Sequence, residues 1–303
     1  MDEVVTDMEA ANAVGDTRKV FKMVKHLSKS AKPPPKNLTS DANGSLLKSP
    51  EEVARIWSEL LREKFAATDR EVNVRGPLPP LPSIRQSSDA LTRAEFEKAL
   101  NIMKNGKATG PDGVPAEVYK YCDVAKEELF KFLNQVWEQE QLPEDFAQAK
   151  FVMLFKSKGS SNDPSKYRCI GLLNHSYKVL SLIMLMRLLN CSDNFLHDWQ
   201  NGFRRHRGCR DNTFILRTMC HQMMMLGEKI ALTFVDYSAA FDSVSHKFLD
   251  EALAEANAPI KVRAMFRAVY AAASAHTTVP APDGKTVKSE IFPIRRGVVQ
   301  GDC

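Results

Sequence analysis

One stretch of the sequence limits the possible folds more than any other, residues 230–244 with the sequence IALTFVDYSAAFDSV. Six apolar or β-branched residues, 230–235, lead directly into Asp236. Such a run predicts a buried β-strand that ends at an acid, with a turn and a helix after it. Carboxylate oxygens are common ligands of hard cations such as Mg²⁺. Asp236 is therefore the first candidate metal ligand.

The composition indicates a globular protein. The 303 residues are 44% hydrophobic and 26% charged, enough for two domains or one large one. The six cysteines form no Cys-x-x-Cys pair, which predicts free thiols and no zinc site. The charged N-terminal sequence does not resemble a signal peptide, which predicts an intracellular location, in the cytoplasm or nucleus. The longest apolar run, 179–189, contains Arg187 and is shorter than the roughly 20 residues of a membrane span, so no membrane segment is expected.

Positive charge is concentrated in one block of the chain. Residues 150–210 contain eleven Lys and Arg against three acids, a balance of +8, whereas the whole chain has +5 and the remainder therefore −3. A local basic block of this kind predicts a surface that binds phosphates. An ordinary solvated face is equally compatible with the charge alone.

The order of sequence patterns predicts an α+β protein in three parts. Residues 1–65 are expected to be helical, 66–90 to form a Pro-rich linker, and 91–303 to form the main domain. The main domain begins with a capping box, Thr92 and Glu95. Helices are predicted near 49–61, 92–103, 115–121, 124–141, 174–190, 213–226, 245–253 and 261–273, and strands near 150–155 and 167–173, with a hairpin turn at 282–284.

Three of these helices carry specific expectations of burial. The helix 174–190 is apolar nearly all round and is therefore expected in the core. The next two are expected to bury one face each. The side chains concerned are Phe214, Leu216, Met219 and Cys220 on one helix and Phe248, Leu249, Ala252 and Leu253 on the other.

Two basic motifs are candidate phosphate-binding sites. The first is a hairpin with Lys156 and Lys158 at its tip and Arg168 on its return, suited to a triphosphate or a template backbone. Its spacing alone favours an ordinary exposed hairpin. The second is the loop 200–212, in which an aromatic ring can stack on a base while arginines contact phosphates, unless the loop is merely solvated. Its candidate residues are Phe203, Arg204, Arg205 and Arg207.

Five sequence blocks stand in a characteristic order between residues 107 and 302. They are KATGPDGVPAEV, FKSKG with NDPSKYRCIGLL, QNGFR, FVDYSAAFDSV and RGVVQGD. In this order they resemble the reverse transcriptase of non-LTR (LINE-type) retrotransposons. The resemblance implies a right-hand polymerase fold, with fingers at about 107–200 and an incomplete palm at about 201–303, preceded by a helical N-terminal segment.

The resemblance also implies roles for individual residues. It implies two Mg²⁺ ions as cofactors, and an RNA template, a DNA primer and deoxynucleoside triphosphates as partners. The roles are metal binding by Asp236 and the main-chain carbonyl of Tyr237, exclusion of a ribose 2′-OH by Phe241, triphosphate binding by Arg168 with Lys156 or Lys158, and lining of the nucleotide and template site by Gln300 and Gly301.

The sequence departs from the family pattern in four respects, one of which is Cys209, where threonine or serine is common. Cys169 stands where proline is usual, Gly171 where serine is usual, and the aromatic-x-Asp-Asp motif that supplies further metal ligands is not found. Since one carboxylate cannot hold two metals, we expect a fragment with little or no activity alone. The alternatives are a non-catalytic nucleic-acid-binding remnant or, more remotely, an α+β hydrolase that uses Asp236 and Asp242 as an acid–base pair.

Overall fold

The computed structural model describes residues 38, 40, 47, 49–66, 90–204, 206–281 and 285–301, without the side chains of 190–194. All of these residues belong to one compact unit, Asn37–Cys303. Most of the predicted helical segment 1–65, nearly all of the linker 66–90 and the turn 282–284 lie outside this range. The proposed domain boundaries stay a prediction.

The described chain consists of eight α-helices, one 3₁₀ turn (Pro164–Lys166) and five strands. The helices are α1 (Pro50–Lys64), α2 (Arg93–Ile102), α3 (Ala116–Tyr121), α4 (Asp123–Gln139), α5 (His175–Phe195), α6 (Cys209–Met225), α7 (His246–Glu255) and α8 (Ile260–Ala272). The strands are β1 (Gln148–Phe155), β2 (Tyr167–Leu173), β3 (Ser274–Pro280), β4 (Thr286–Lys288) and β5 (Phe292–Pro293). The predicted α+β class is confirmed.

The five strands form one sheet in the order β2-β1-β3-β4, with β5 also paired to β3. β1 pairs with β2 in the antiparallel direction, as the predicted hairpin requires, and with β3 in the parallel direction. A parallel pair needs a long crossover connection. The connection from β1 to β3 contains β2 and the helices α5 to α8. One face of the sheet is buried, and its central side chain, Phe151, is 1% exposed.

The helix signals of the sequence are satisfied in the structure. Ser49 accepts a hydrogen bond from the amide of Glu52 at the start of α1, and Thr92 and Glu95 form the predicted capping box of α2. α5 is buried as expected, with Val179 and Ile183 fully inaccessible. No helix in the described ranges combines the length and hydropathy needed to cross a membrane.

The Gly-Pro-Asp-Gly motif is a turn packed against the start of α5. The amide of Gly113 donates to the carbonyl of Gly110 at 3.2 Å, and the amide of Asp112 donates to Asn174 Oδ1 at 3.2 Å. A Cβ atom at Gly110 would lie 2.4 Å from the amide nitrogen of Asn174. Glycine is therefore required at position 110 by the close approach of two backbones.

The prediction of a buried strand at residues 230–235 is wrong. Residues 228–237 have no regular secondary structure, and the side chains of Phe234 and Val235 are 82% and 73% exposed. A strand requires a neighbouring strand for its backbone hydrogen bonds, and none of the five described strands pairs with this segment. The apolar pattern indicates that these side chains favour burial. It does not show whether another strand or helix packs against them.

The expected burial of the α6 face is also wrong, and that of the α7 face is confirmed only in part, since Leu249, Ala252 and Leu253 are half-buried. No residue of α6 is buried, and Phe214 and Met219 are 71% and 50% exposed. In α7 the aromatic Phe248 is 52% exposed, whereas Asp250 is 1% exposed. Asp250 is buried because Arg263 and Arg267 of α8 donate hydrogen bonds to its carboxylate, an arrangement that hydrophobic periodicity does not report.

Asp250 gives the first testable prediction. Arg263 Nη2 and Arg267 Nη2 lie 2.9 and 2.7 Å from its carboxylate, so Asp250→Ala leaves two partly buried guanidinium charges without this balance. We expect the free energy of unfolding to fall by about 3–5 kcal/mol in urea titrations. Glu255→Ala, an exposed acid at the end of the same helix, is the control and should change it by less than about 0.5 kcal/mol. Equal effects would contradict the assignment.

Glu95 predicts a dependence of stability on pH. Hydrogen bonds from Arg187 lower the pKa of this carboxyl to about 2, against the opposing effect of burial and with help from Thr92. Its stabilising contribution is therefore complete above its ordinary pKa of 4.5 and is lost as the pH falls from there towards 2. The stability difference between the natural protein and Glu95→Gln should shrink over this range in urea titrations; a constant difference would refute the prediction.

Candidate active site

A cleft of about 710 Å³ opens between α1, the β1–β2 hairpin and residues 236–242. It brings together six of the side chains singled out in the sequence, from four separate regions of the chain. These residues are Lys156, Arg168, Asp236, Tyr237, Phe241 and Gln300. Lys158 and Gly301 do not line it, and neither do Phe203, Arg204 and Arg207. Arg205 lies outside the described residues.

The two hairpin cations are presented by adjacent strands. Lys156 directly follows β1, and its Nζ donates a hydrogen bond to the carbonyl of Ser165 at 2.8 Å. Arg168 lies on β2 opposite Leu154 and is exposed. The sequence left Lys156 and Lys158 as alternatives, and the geometry places Lys156 at the cleft.

Residues 239–243 form a turn that is joined to the segment 297–298. Two consecutive amides, those of Asp242 and Ser243, donate to the carbonyl of Ala239 at 3.0 Å. The amide of Val298 donates to the carbonyl of Phe241 at 2.8 Å. Gly297 has φ +76°, and a Cβ there would lie 2.5 Å from the carbonyl oxygen of Asp242. The close approach explains why glycine occupies position 297.

The Gln300-Gly301 loop lies directly on the outer edge of β2. The amide of Gly171 donates to the carbonyl of Gln300 at 2.8 Å. A Cβ at Gly301 would meet the carbonyl oxygen of Gly171 at 2.4 Å, and a Cβ at Gly171 would meet Val299 Cγ1 at 2.1 Å. The side chain of Val299 therefore occupies the space that a side chain at position 171 would need.

The basic segment 200–212 lies beside this cleft and leads into α6, and two of its arginines donate hydrogen bonds to residues just before the segment. Arg204 donates to the carbonyl of His197 at 3.1 Å, and Arg207 donates to the carbonyl of Asp198 at 2.5 Å. Phe203 is 92% exposed and meets the ring of Phe241 edge-on, with 5.7 Å between centroids. The loop is thus linked to the cleft through an aromatic contact.

The sequence of this region matches known proteins. A family model described as reverse transcriptase (RNA-dependent DNA polymerase) matches residues 156–302. Residues 156–302 belong to the reverse transcriptase family. Members of the family use divalent metal ions and bind a nucleic acid template and nucleotides.

Several relatives of this reverse transcriptase region come from mobile elements. A transposon TX1 uncharacterized 149 kDa protein of Xenopus laevis is 27% identical over 52% of this chain and 12% of its own length. The RNA-directed DNA polymerase from mobile element jockey of Drosophila melanogaster is 26% identical over 89% of this chain and 30% of its own. A retrovirus-related Pol polyprotein from type-1 retrotransposable element R2 of Nasonia vitripennis is 25% identical over 64% and 18%.

These coverages mean that the chain spans less than a third of the length of each of these relatives. The resemblance to non-LTR retrotransposon reverse transcriptases, inferred from the five sequence blocks, is confirmed, because the relatives are named for the R2 and jockey elements.

The oxygen donors at this cleft are sufficient for one hard divalent cation such as Mg²⁺. Asp236 is exposed at the cleft and has no ion-pair partner among the described residues, and Tyr237 follows it with its side chain 77% exposed. Mg²⁺ binds through one or two carboxylates together with water and substrate phosphates. Within the described ranges no cluster of three or more His, Cys, Asp or Glu side chains is suited to hold a metal. A second ion is therefore not accounted for by these side chains.

One charged cleft residue, Lys64, was missed by the sequence reasoning, which named Cys169 only as a departure from the family pattern and Asp242 only as a possible acid–base partner of Asp236. Lys64 follows Trp57 and Leu61 on the apolar face of α1, at the i+7 and i+3 positions, and a charge on such a face was an available signal. Burial raises the pKa of the Cys169 thiol to about 12, opposed by Lys64 and reinforced by Asp242. The thiol is thus protonated and unsuited to nucleophilic chemistry.

The contact between Gly171 and Val299 can be tested by a double-mutant cycle. Gly171→Ala places a methyl group against Val299, and we expect a loss of about 1–3 kcal/mol in the free energy of unfolding. Val299→Ala removes the obstructing Cγ1, so Gly171→Ala should cost less in that background. Urea titrations of the four proteins measure the coupling, and strictly additive effects would show that the two side chains do not compete for one space.

Proposed function

We propose that this chain is the fingers and part of the palm of an RNA-directed DNA polymerase from a non-LTR retrotransposon. It copies an RNA template by adding deoxynucleotides to a DNA primer. The observation that carries the proposal is the cleft, where Lys156, Arg168, Asp236 and Gln300 converge from distant parts of the chain. Two cations beside a carboxylate are the groups that a metal-bound triphosphate requires.

The residues of the cleft have distinct roles in this proposal. Arg168 binds the triphosphate through its planar fork of donors, and Lys156 adds a compact point charge beside it. Phe241 packs against the sugar of the incoming nucleotide and leaves no room for a 2′-OH. Gln300 bounds the site on the side of β2, to which its carbonyl is hydrogen-bonded, and Gly301 supports it by packing against the backbone of Gly171.

Asp236 and the carbonyl of Tyr237 would hold Mg²⁺ in this site. When bound, the metal neutralises charge that develops on the oxygens of the transferred phosphoryl group. By holding the metal, Asp236 would fix the position of the metal's positive charge relative to Arg168. The orientation of the triphosphate then depends on Arg168 of β2 and on residues 236–242, of which Phe241 is hydrogen-bonded to Val298.

A second candidate function is nucleic-acid binding without catalysis. It is favoured by the loop 200–212 and the residues before it, where the rings of Trp199 and Phe203 are 71% and 92% exposed beside Arg204 and Arg207. Exposed aromatic rings next to arginines are typical of surfaces on which bases stack while phosphates are bound. Both functions require RNA binding that weakens as salt is added.

Primer extension separates the two functions. We expect the 303-residue chain with Mg²⁺, an RNA template and a DNA primer to incorporate deoxynucleotides only weakly, because its cleft leaves one carboxylate available to metal. Asp236→Asn should reduce incorporation by about 100-fold or more, because several kcal/mol of transition-state stabilisation are lost. Asp123→Asn, a change at a side chain that is 96% exposed, is the control. Salt-sensitive RNA binding without any incorporation would support the non-catalytic candidate instead.

A further inference from the structure

An ion pair connects the end of α1 to the turn beside the candidate metal ligand. Lys64 Nζ lies 2.7 Å from Asp242 Oδ2, and the two side chains are 36% and 21% exposed. Both residues line the cleft. Lys64 lies outside the region 156–302 that matches the reverse transcriptase family, so the family comparison assigns it no role.

The backbone at Lys64 is held in place by the rest of the fold. Arg296 Nε donates to the carbonyl of Lys64 at 3.1 Å, and the amide of Arg295 donates to the carbonyl of Phe65 at 2.9 Å. Phe65 is 1% exposed and stacks on Phe151 at 5.4 Å between centroids. Because its backbone is anchored to the core, Lys64 provides a fixed point from which its side chain can restrain another segment.

The turn at Asp242 is exposed and needs such a restraint. Residues 237–240 are exposed, and Phe241 is 48% exposed. The turn is held by backbone hydrogen bonds, with a further bond from Ser243 Oγ to the carbonyl of Ala239. Among the described residues, Lys64 is the one cation that forms an ion pair with the turn. The pair therefore acts directly on the residue that follows Phe241.

The pair also sets the charge of the cleft. Its lining contains three cations, Lys64, Lys156 and Arg168, and two carboxylates, Asp236 and Asp242, a net charge of +1. Since Lys64 compensates Asp242, Asp236 is left as the carboxylate available to a metal, and the other two cations are left for phosphates.

We propose that Lys64 is a positioning residue for nucleotide selection: through Asp242 it fixes the turn 239–243 and thereby the ring of Phe241. The role in selection rests on the proposed polymerase function, whereas the restraint of the turn does not. Loss of the pair loosens the turn, lets Phe241 move away from the sugar and weakens the preference for deoxynucleotides over ribonucleotides.

Hydrogen–deuterium exchange tests the restraint without substrate. In Lys64→Met the amides of Asp242, Ser243 and Val298 should exchange about two- to fivefold faster, as expected for loss of a partly exposed ion pair. Lys64→Arg keeps the charge and should exchange like the natural protein. Arg55→Met breaks a pair of equal length, 2.7 Å, with Glu59 on the solvent side of the same helix and should leave these amides unchanged.

A neutral double variant separates positioning from charge. Lys64→Met alone removes one unit of positive charge from the cleft, and Lys64→Met with Asp242→Asn restores the net charge of +1 without restoring the pair. Positioning predicts that the double variant exchanges as fast as Lys64→Met and shares its lower discrimination, measured as the ratio of kcat/KM for deoxy- and ribonucleotides. Recovery of that ratio in the double variant would overturn positioning in favour of charge alone.

The two proposals fail in different ways. Unchanged exchange in Lys64→Met, or equal acceleration in Arg55→Met, would overturn the role of Lys64 whether or not the chain polymerises. Thermal unfolding of each variant establishes that only folded proteins are compared. Absence of incorporation by the natural chain would overturn the polymerase function, while the exchange data would still decide whether Lys64 holds the turn.

Discussion

Every part of the candidate active site depends on the pairing of β1 along both of its edges. β1 joins β2 in the antiparallel direction and β3 in the parallel direction, so segments distant in sequence lie side by side. Its buried face carries Phe151, whose ring contacts Phe65 after α1 and Phe292 of β5. The strand thereby determines where Lys156 stands at its end, where Arg168 stands on its partner, and how α1 lies against the sheet.

Local features of this arrangement could be predicted from the sequence. The β1–β2 hairpin joins strands that are adjacent in the chain, and the caps at Ser49 and Thr92 involve residues three positions apart. The burial of α5 follows from its being apolar on every side. In the hairpin and the caps the interacting residues are close in sequence, and in α5 all sides of the helix are apolar. The local sequence pattern is therefore sufficient to predict these features.

Features that depend on distant partners could not be predicted in the same way. The apolar segment 230–235 indicates a preference for cover, yet its exposure is decided by which elements pack beside it. Asp250 lies among apolar positions of α7, and its burial depends on two arginines of the following helix. The reach of Lys64 into the cleft likewise depends on how α1 lies against the sheet. Periodicity locates faces of helices and strands, whereas pairing between faces is a property of the assembled chain.

Some positions around the cleft are limited by contacts between backbones, and others are limited by contacts with side chains. This difference determines the structural effect of residues that depart from the family pattern. At Gly297 and Gly301 the backbones approach so closely that a Cβ would overlap a carbonyl oxygen. At Gly171 a Cβ would instead overlap the side chain of Val299. Val299 therefore fills the space that a side chain at position 171 would occupy. Cys169 is buried with a protonated thiol and contributes packing. The unusual residues in β2 therefore alter which side chains fill the space behind the cleft, and they leave the backbone hydrogen bond between β2 and Gln300 intact.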